Sequence, residues 1–293
     1  MHHTGLGVEV CRNITDVDDD MLAKARERGV HWRSLATQQT YRFEDDMRRL
    51  GVATPTYEPA SHNYIDEVIA LAAGLLESDA AYEREGTVYF REAQAHKRFG
   101  INREGALVLA RQRGGHPDDS SKDDPLDVPV WQRSAEGEPS WPSPWGDGRP
   151  GWHAECTAMA LANLGPGIDV HGGGKDLAFP HHAYESAQAE ALTGVTPFAR
   201  SWMHVGTVHL NGSKMAKSTG NLVFVHELLE EWPAAVLRLL ILDRPWHSEW
   251  EYRKEDLAAA AERIDRLQVA AGRLGGSEIA QRACMEALLD ALD

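Results

Sequence analysis

Two stretches decide the fold: Ile168-Asp-Val-His-Gly-Gly-Gly174 and Met203-His-Val-Gly-Thr-Val208. The apolar residues of the first stretch indicate a buried strand that ends near His171, and the second stretch indicates another strand. Between them, residues from about 181 to 193 have a helical pattern. Because parallel strands need a crossover of this kind, the passage predicts an α/β fold with a parallel sheet.

The same alternation of strands and helices extends to both sides of this passage. We predict strands at 6–11 and 87–90, and helices at about 20–28, 33–50, 62–77 and 153–164. Residues 112–150 are rich in Gly, Pro, Asp and Ser and are predicted to be mostly loop. From residue 225 to the end the pattern is helical. The whole order predicts a doubly wound parallel sheet with an insert from about 80 to 130 and C-terminal helices.

Composition excludes several classes of protein. A chain of 293 residues that is 42% hydrophobic can bury one large core, or one core and a small insert. No apolar run approaches the roughly 20 residues of a membrane helix, and the first residues lack the pattern of a signal peptide. The net charge of −15 argues against a broad basic surface for nucleic acid, although a local patch remains compatible with it. Three cysteines do not make a disulfide framework, so we expect a cytoplasmic protein.

Cys156, His181 and Glu185 form the first candidate site. His181 and Glu185 are four positions apart in a helical segment, so they share one face of the helix. A thiolate, an imidazole and a carboxylate suit zinc, because the soft sulfur disfavours magnesium and calcium. The alternative is a buried cysteine and two surface helix residues, and the spacing alone favours that alternative.

Two further motifs are compatible with a bound nucleotide. The glycines Gly172, Gly173 and Gly174 follow a strand and would let backbone N–H groups approach a phosphate or ribose, although a triple glycine is more often a simple loop. Lys214 and Lys217 are three apart beside small residues and would stabilise a departing pyrophosphate. The alternative for the lysines is a solvated surface turn.

The motifs occur in the order Asn13-Ile-Thr-Asp-Val-Asp-Asp19, Gly148-Arg-Pro-Gly-Trp-His-Ala-Glu-Cys156, His171-Gly-Gly-Gly-Lys-Asp176, Phe179-Pro-His-His182 and Lys214-Met-Ala-Lys-Ser218. Taken together, they resemble the family of class I synthetases that comprises cysteinyl-tRNA synthetases and the related cysteine ligases of mycothiol synthesis. The resemblance implies a Rossmann-like sheet and divides the chain into catalytic-domain segments at 1–80 and 131–224, a connective insert at 81–130 and a helical stem at 225–293.

The resemblance also assigns roles to residues. It implies zinc ligands at Cys156, His181 and Glu185, with the zinc holding the thiolate of a bound cysteine. It implies that three residues surround this cysteine: Thr15, Trp152 and Asp176. It implies that ATP, with Mg²⁺, contacts His171, Gly172, Gly173, Gly174, Val208, Lys214, Lys217 and Ser218, and that Lys214 and Lys217 are catalytic.

The chain departs from the family pattern at its beginning. The family's His-x-Gly-His motif and a further zinc cysteine precede the segment that carries Asn13, and this sequence does not contain them. We therefore expect a fragment or a mis-started gene, incomplete at both ends, that binds zinc weakly and catalyses poorly. Ala216 replaces the family's usual serine but leaves both lysines.

Two members of the family share the activation of cysteine and differ in the acceptor. The segment from Arg113 to Asp127 resembles the mycothiol-type cysteine ligase in sequence and length, which predicts glucosaminyl-inositol as the acceptor. We also expect a monomeric enzyme. Glu185 favours the alternative, a ligase that charges tRNA(Cys). A third possibility is a catalytically impaired paralogue that acts as a binding module, which the absent nucleotide motif suggests and the zinc-ligand trio argues against.

Overall fold

The computed structural model describes residues 5–92, 94–216, 220–271 and 282. The helices are α1 Asp19–Arg28, α2 Trp32–Arg49, α3 Ile65–Glu77, α4 Arg103–Gln112, α5 Trp152–Leu164, α6 Ala183–Thr193, α7 Val225–Glu231, α8 Ala234–Leu242 and α9 Lys254–Ala271. The strands are β1 Ala81–Arg84, β2 Thr87–Phe90, β3 Val128–Arg133, β4 Gly148–Pro150, β5 Ile168–Gly174, β6 Ala199–Val205, β7 Val208–Leu210, β8 Ser213–Lys214 and β9 Trp250–Glu251. Helices and strands are mixed along the chain, and β5 pairs in parallel with β6, which confirms the α/β class.

The strand–helix–strand passage forms a parallel pair. β5 pairs with β6 from Ile168 opposite Ala199 to Gly174 opposite Val205, and α6 is the crossover between them. The expectation that the first strand ends at His171 is wrong, because the three glycines pair with Met203 to Val205 and so continue the strand. The second strand also ends earlier than expected, at Val205.

The strand expected at 6–11 is also wrong. Around this stretch the described residues form two isolated parallel bridges, Cys11 with Tyr57 and Ile14 with Ala60, instead of a strand. Between these bridges the chain has Pro59, which has no N–H to donate across the ladder. Backbone hydrogen bonds continue on both sides of the proline, from Tyr57 N to Val10 O and from Ser61 N to Ile14 O.

An antiparallel sheet in the order β1-β2-β3-β4 lies in the part expected to be an insert and a loop. Of its strands only β2 was predicted. β1 and β2 join through Glu85 and Gly86, both with positive φ, as a tight hairpin turn requires. At Gly151, which follows β4, a Cβ atom would lie 1.9 Å from Pro129 O, so only glycine fits there.

The main hydrophobic core packs this sheet against α3, α5 and α6. Its largest fully buried side chains include Trp131, Tyr184, Phe90 and Leu71. Because α5 and α6 bury nearly all of their N-terminal turns, their polar residues lie inside the protein rather than on its surface. This burial is what distinguishes the candidate metal ligands from ordinary surface residues.

Contacts divide the chain into two units. The first unit comprises the described residues up to Arg48, together with Val52–Thr207 and Trp246–Glu249. The second comprises Arg49–Gly51, Val208–Pro245 and the described residues from Trp250 onward, with the sheet order β8-β7-β9. Helices dominate after residue 225 as expected, although β9 interrupts them. Among the described residues, no helix combines the length and apolar character needed to cross a membrane.

Candidate metal and amino-acid site

Cys156, His181 and Glu185 come together inside the first unit. Cys156 lies on α5, His181 immediately precedes α6, and Glu185 lies in the first turn of α6. One potential ligand atom of each lies within 4.8 Å of those of the other two, and all three residues are buried. His181 Nε2 is 2.7 Å from Glu185 Oε1. The structure thus brings the predicted zinc ligands together on facing helices.

The electrostatics of this trio favour a bound cation. Burial acts to raise the pKa of Glu185, but the neighbouring His181, His171 and His182 outweigh it and lower the pKa to about 2. Burial raises the pKa of the Cys156 thiol well above its ordinary value, and the charge of Glu185 adds to this. A dication beside the sulfur would stabilise the thiolate instead.

Aromatic side chains hold the His181 ring in place. The Trp152 ring stacks on it with centroids 4.0 Å apart, and His153 Nδ1 lies 2.9 Å from His181 Nδ1. Burial lowers the pKa of His153, and His181 adds to this, so the His153 ring is neutral at pH 7. A hydrogen bond to one ring nitrogen of a histidine leaves the other nitrogen directed toward a metal. His153 was not predicted, although its spacing of three from Cys156 on one helix gives that signal.

A second group of histidines lies on the other side of Glu185. His171 Nε2 is 3.3 Å from Glu185 Oε2, and ligand atoms of His171, His182 and Glu185 also lie within 4.8 Å of one another. His182 Nδ1 lies 2.9 Å from His204 Nε2. Burial lowers the pKa of His182 to about 3 against the opposing effect of Glu185, and the neighbouring histidines add to the lowering. His182 and His204 were not predicted as site residues; the adjacent pair His181-His182 was the available signal.

The triple glycine makes room for neighbouring side chains. A Cβ atom on Gly173 would lie 2.7 Å from Cε1 of His182, and one on Gly174 would lie 2.5 Å from Oδ1 of Asp176. A Cβ atom on Gly172 would approach nothing closer than 3.8 Å. Close packing therefore accounts for two of the three glycines, and their contact with ATP stays a prediction.

The residues predicted to surround a bound cysteine also lie in the first unit. Trp152 begins α5, and Asp176 lies in a short turn of 3₁₀ helix after β5. The Thr15 hydroxyl donates to Asp18 Oδ2 at 3.4 Å, and Asp18 caps α1 by accepting from Met21 N. Their contact with an amino acid stays a prediction.

Further residues predicted to contact ATP lie in the second unit. Val208 begins β7 and Lys214 ends β8, and the turn between these strands has positive φ at Asn211 and Gly212. The Asn221 side chain makes two hydrogen bonds to the backbone after β8: it donates to Lys214 O and accepts from Ala216 N. Lys217 and Ser218 lie outside the described residues.

Comparison with known proteins identifies the family. A family described as tRNA synthetases class I (C) catalytic domain matches residues 1–262. The chain is 44% identical to the L-cysteine:1D-myo-inositol 2-amino-2-deoxy-alpha-D-glucopyranoside ligase of Streptosporangium roseum over 94% of the chain and 68% of the relative. It is 43% identical to the protein of the same name from Streptomyces coelicolor, over 98% of the chain and 72% of the relative.

Among solved structures, the chain is similar to Mycobacterium tuberculosis methionyl-tRNA synthetase bound by methionyl-adenylate. The TM-score is 0.66 at 15% identity, and the match covers 90% of this chain and 62% of that one. At this identity the likeness concerns the fold, which is that of a class I aminoacyl-tRNA synthetase. The chain therefore belongs to the family of class I (C) tRNA synthetase catalytic domains.

Proposed function

We propose that the chain is an ATP-dependent ligase that activates L-cysteine as cysteinyl-adenylate and transfers it to the amine of glucosaminyl-inositol. One observation carries the proposal: relatives named as ligases of cysteine and this amino sugar match 90% or more of the chain at 41–44% identity. The buried sulfur, nitrogen and oxygen atoms of Cys156, His181 and Glu185 support the choice of cysteine.

Zinc fits this trio of side chains. Cys156 provides a soft donor, and Glu185 Oε2 is buried without a hydrogen-bond partner among the described residues. Three protein ligands leave a fourth position for a substrate atom, which is the arrangement of a zinc site that binds ligand. When bound, zinc would supply a Lewis acid for the cysteine thiolate and would reject serine, whose hydroxyl ionises far less readily.

The remaining groups of an amino acid need polar and apolar partners from the chain. Asp176 would accept hydrogen bonds from the α-ammonium, because a carboxylate both accepts and balances that charge. Trp152, stacked on His181, would form the wall beside the thiol. Thr15 lies in the loop that leads into α1 and would line the same pocket.

The reaction then proceeds in two displacements. A carboxylate oxygen of cysteine attacks the α-phosphorus of ATP, and pyrophosphate leaves with the electrons of the broken P–O bond. Lys214 and Lys217 would stabilise the charge that develops on the pyrophosphate. The amine of the sugar next attacks the carbonyl carbon, AMP leaves, and the amine proton passes to solvent. Mg²⁺ would accompany ATP.

A direct test offers the zinc-loaded chain cysteine and ATP together with either glucosaminyl-inositol or total tRNA. We expect AMP release that depends on cysteine and on the amino sugar, with serine inactive in place of cysteine. Release stimulated by tRNA alone would replace the sugar ligase with a cysteine–tRNA ligase. Absence of cysteine-dependent adenylation would contradict the proposed function.

A further inference from the structure

Arg113 contacts the residue assigned to the substrate ammonium. It follows α4 and begins the segment 113–127, which the synthetase-like motifs do not include. Its Nη1 donates to the backbone oxygen of Asp176 and lies 3.6 Å from Asp176 Oδ2. The two residues are 63 positions apart in the chain, so the contact joins the insert to the turn after β5.

Both ends of this contact are fixed by further interactions. The Arg113 backbone N–H donates to Leu109 O at 3.0 Å, at the end of α4. On the other side, Asp176 Oδ1 packs so closely on Gly174 that a Cβ atom there would lie 2.5 Å away. The segment is also held at its far end, where the Tyr184 hydroxyl donates to Leu126 O at 2.5 Å.

The pair differs from a nearby surface ion pair that joins the end of α4 to the same segment. Arg113 and Asp176 keep 30% and 31% of their side-chain surface, whereas Arg111 and Asp118 keep 51% and 81%. Exposed pairs such as Arg111–Asp118 contribute little to stability, because water screens the charges and ordering the side chains costs entropy. Arg113 also donates to a backbone carbonyl, which orients the Asp176 residue itself and not only its charge.

We propose that Arg113 is a positioning residue for the amino-acid site, and that it holds the Asp176 carboxylate in the orientation that receives the substrate's α-ammonium. This inference rests on the proposed function. A carboxylate offers about four acceptor positions, so Arg113 and an ammonium bind to it together. Segment 113–127 thereby takes part in recognising the amino acid.

The test measures ligand binding to the zinc-loaded chain by calorimetry. The variants are Arg113→Ala and Arg113→Lys, with Arg111→Ala, in the adjacent last turn of α4, as the matched control. The ligands are L-cysteine and 3-mercaptopropionate, which keeps the thiol and carboxylate but has no ammonium. Thermal midpoints verify that each variant is folded.

We expect Arg113→Ala to weaken cysteine binding at least tenfold relative to Arg111→Ala, and Arg113→Lys to restore part of the loss. Binding of 3-mercaptopropionate should change less than twofold. In a double-mutant cycle, Arg113→Ala and Asp176→Asn should be strongly non-additive, because the arginine acts through the aspartate.

Two results would overturn the inference while leaving the proposed function intact. One is equal cysteine binding by Arg113→Ala and Arg111→Ala. The other is an equal loss of affinity for both ligands, which would indicate a general structural role for Arg113. A wild-type chain that binds zinc but no cysteine would instead overturn the proposed function, and the inference with it.

Discussion

At Gly173 the absence of a Cβ atom makes room for the His182 ring, because a Cβ atom there would lie 2.7 Å from His182 Cε1. Gly173→Ala should therefore displace His182 and lower the thermal midpoint, at a cost of about 1–3 kcal/mol in the free energy of unfolding, as for other overpacked cores. Gly172→Ala is the matched control, because the nearest atom to its Cβ, Met203 O, is 3.8 Å away. Equal midpoints for the two variants, measured by calorimetry, would contradict this packing.

The sequence revealed some site residues more readily than others. Cys156, His181 and Glu185 could be grouped because the last two share a helix face and the cysteine suits zinc. His182 and His204 could not be grouped from spacing, since the parallel pairing of β5 with β6 is what brings His204 near the helix that follows β5. The contact between Arg113 and Asp176 could not be predicted for the same reason, because it depends on how the insert folds back.

Among the elements, β4 is tied to α1 through Arg149, whose buried guanidinium pairs with the buried Glu138 and with the exposed Asp19. Arg149 Nε donates to Glu138 Oε2 at 2.9 Å, and both side chains keep only 8% of their surface, while Nη2 of Arg149 donates to Asp19. Glu138→Ala should destabilise the chain by about 1–3 kcal/mol, because the buried Arg149 guanidinium loses one hydrogen-bond partner and keeps only its contact with Asp19. Glu136→Ala, on the exposed part of the same loop, should change little in urea unfolding.

The difference in free energy of unfolding between wild type and Glu138→Ala should change with pH in a definite direction. Burial acts to raise the pKa of Glu138, but the Ala135 N–H and Arg149 outweigh it, so the pKa is below its ordinary value of 4.5. A carboxylate with a lowered pKa stabilises the folded state above that ordinary value. The gap between wild type and Glu138→Ala should therefore be constant near neutral pH and shrink below about pH 4.5. A gap that grows on acidification would contradict the ion pair.

The β7–β8 hairpin presents Lys214, whose predicted role is to stabilise the leaving pyrophosphate. Lys214→Ala should slow cysteine-dependent exchange of pyrophosphate into ATP by about 10²–10³, as for the loss of one donor to a developing charge. Lys254→Ala, which removes a lysine from an exposed pair with Glu231, is the control. Equal exchange rates in the two variants would remove Lys214 from the catalytic assignment, and zinc content should be the same in both.

Helices were more predictable than strands because their signal is local. The ranges expected for α1, α2, α3, α5 and α6 lie within a few residues of those observed. β3 and β4 lie in a stretch rich in Gly and Pro, and they form because β3 pairs with both β2 and β4. In place of the strand expected at 6–11, the chain forms isolated bridges at Cys11 and Ile14, and Pro59 on the opposite segment interrupts the ladder between them. The residues of 6–11 themselves do not reveal this interruption.

At the scale of the whole molecule, the α/β class followed from the sequence, and the family match over residues 1–262 agrees with it. The four-stranded antiparallel sheet was not anticipated. Its role in the first unit is to bury α3, α5 and α6, and this burial changes the chemistry of the polar residues on α5 and α6. The boundaries of the domains, the monomeric state and the cytoplasmic location stay predictions.

The central claim is that Cys156, His181 and Glu185 hold a zinc ion that binds the thiolate of substrate cysteine. Zinc X-ray absorption on the zinc-loaded chain, with and without L-cysteine, tests it most directly. The account predicts one sulfur in the zinc shell of the chain alone and two after cysteine is added, with no change on adding serine. Cys156→Ser should lose the protein sulfur, whereas Cys11→Ser should not. A zinc shell that contains no sulfur, or that stays the same when cysteine is added, would contradict the claim.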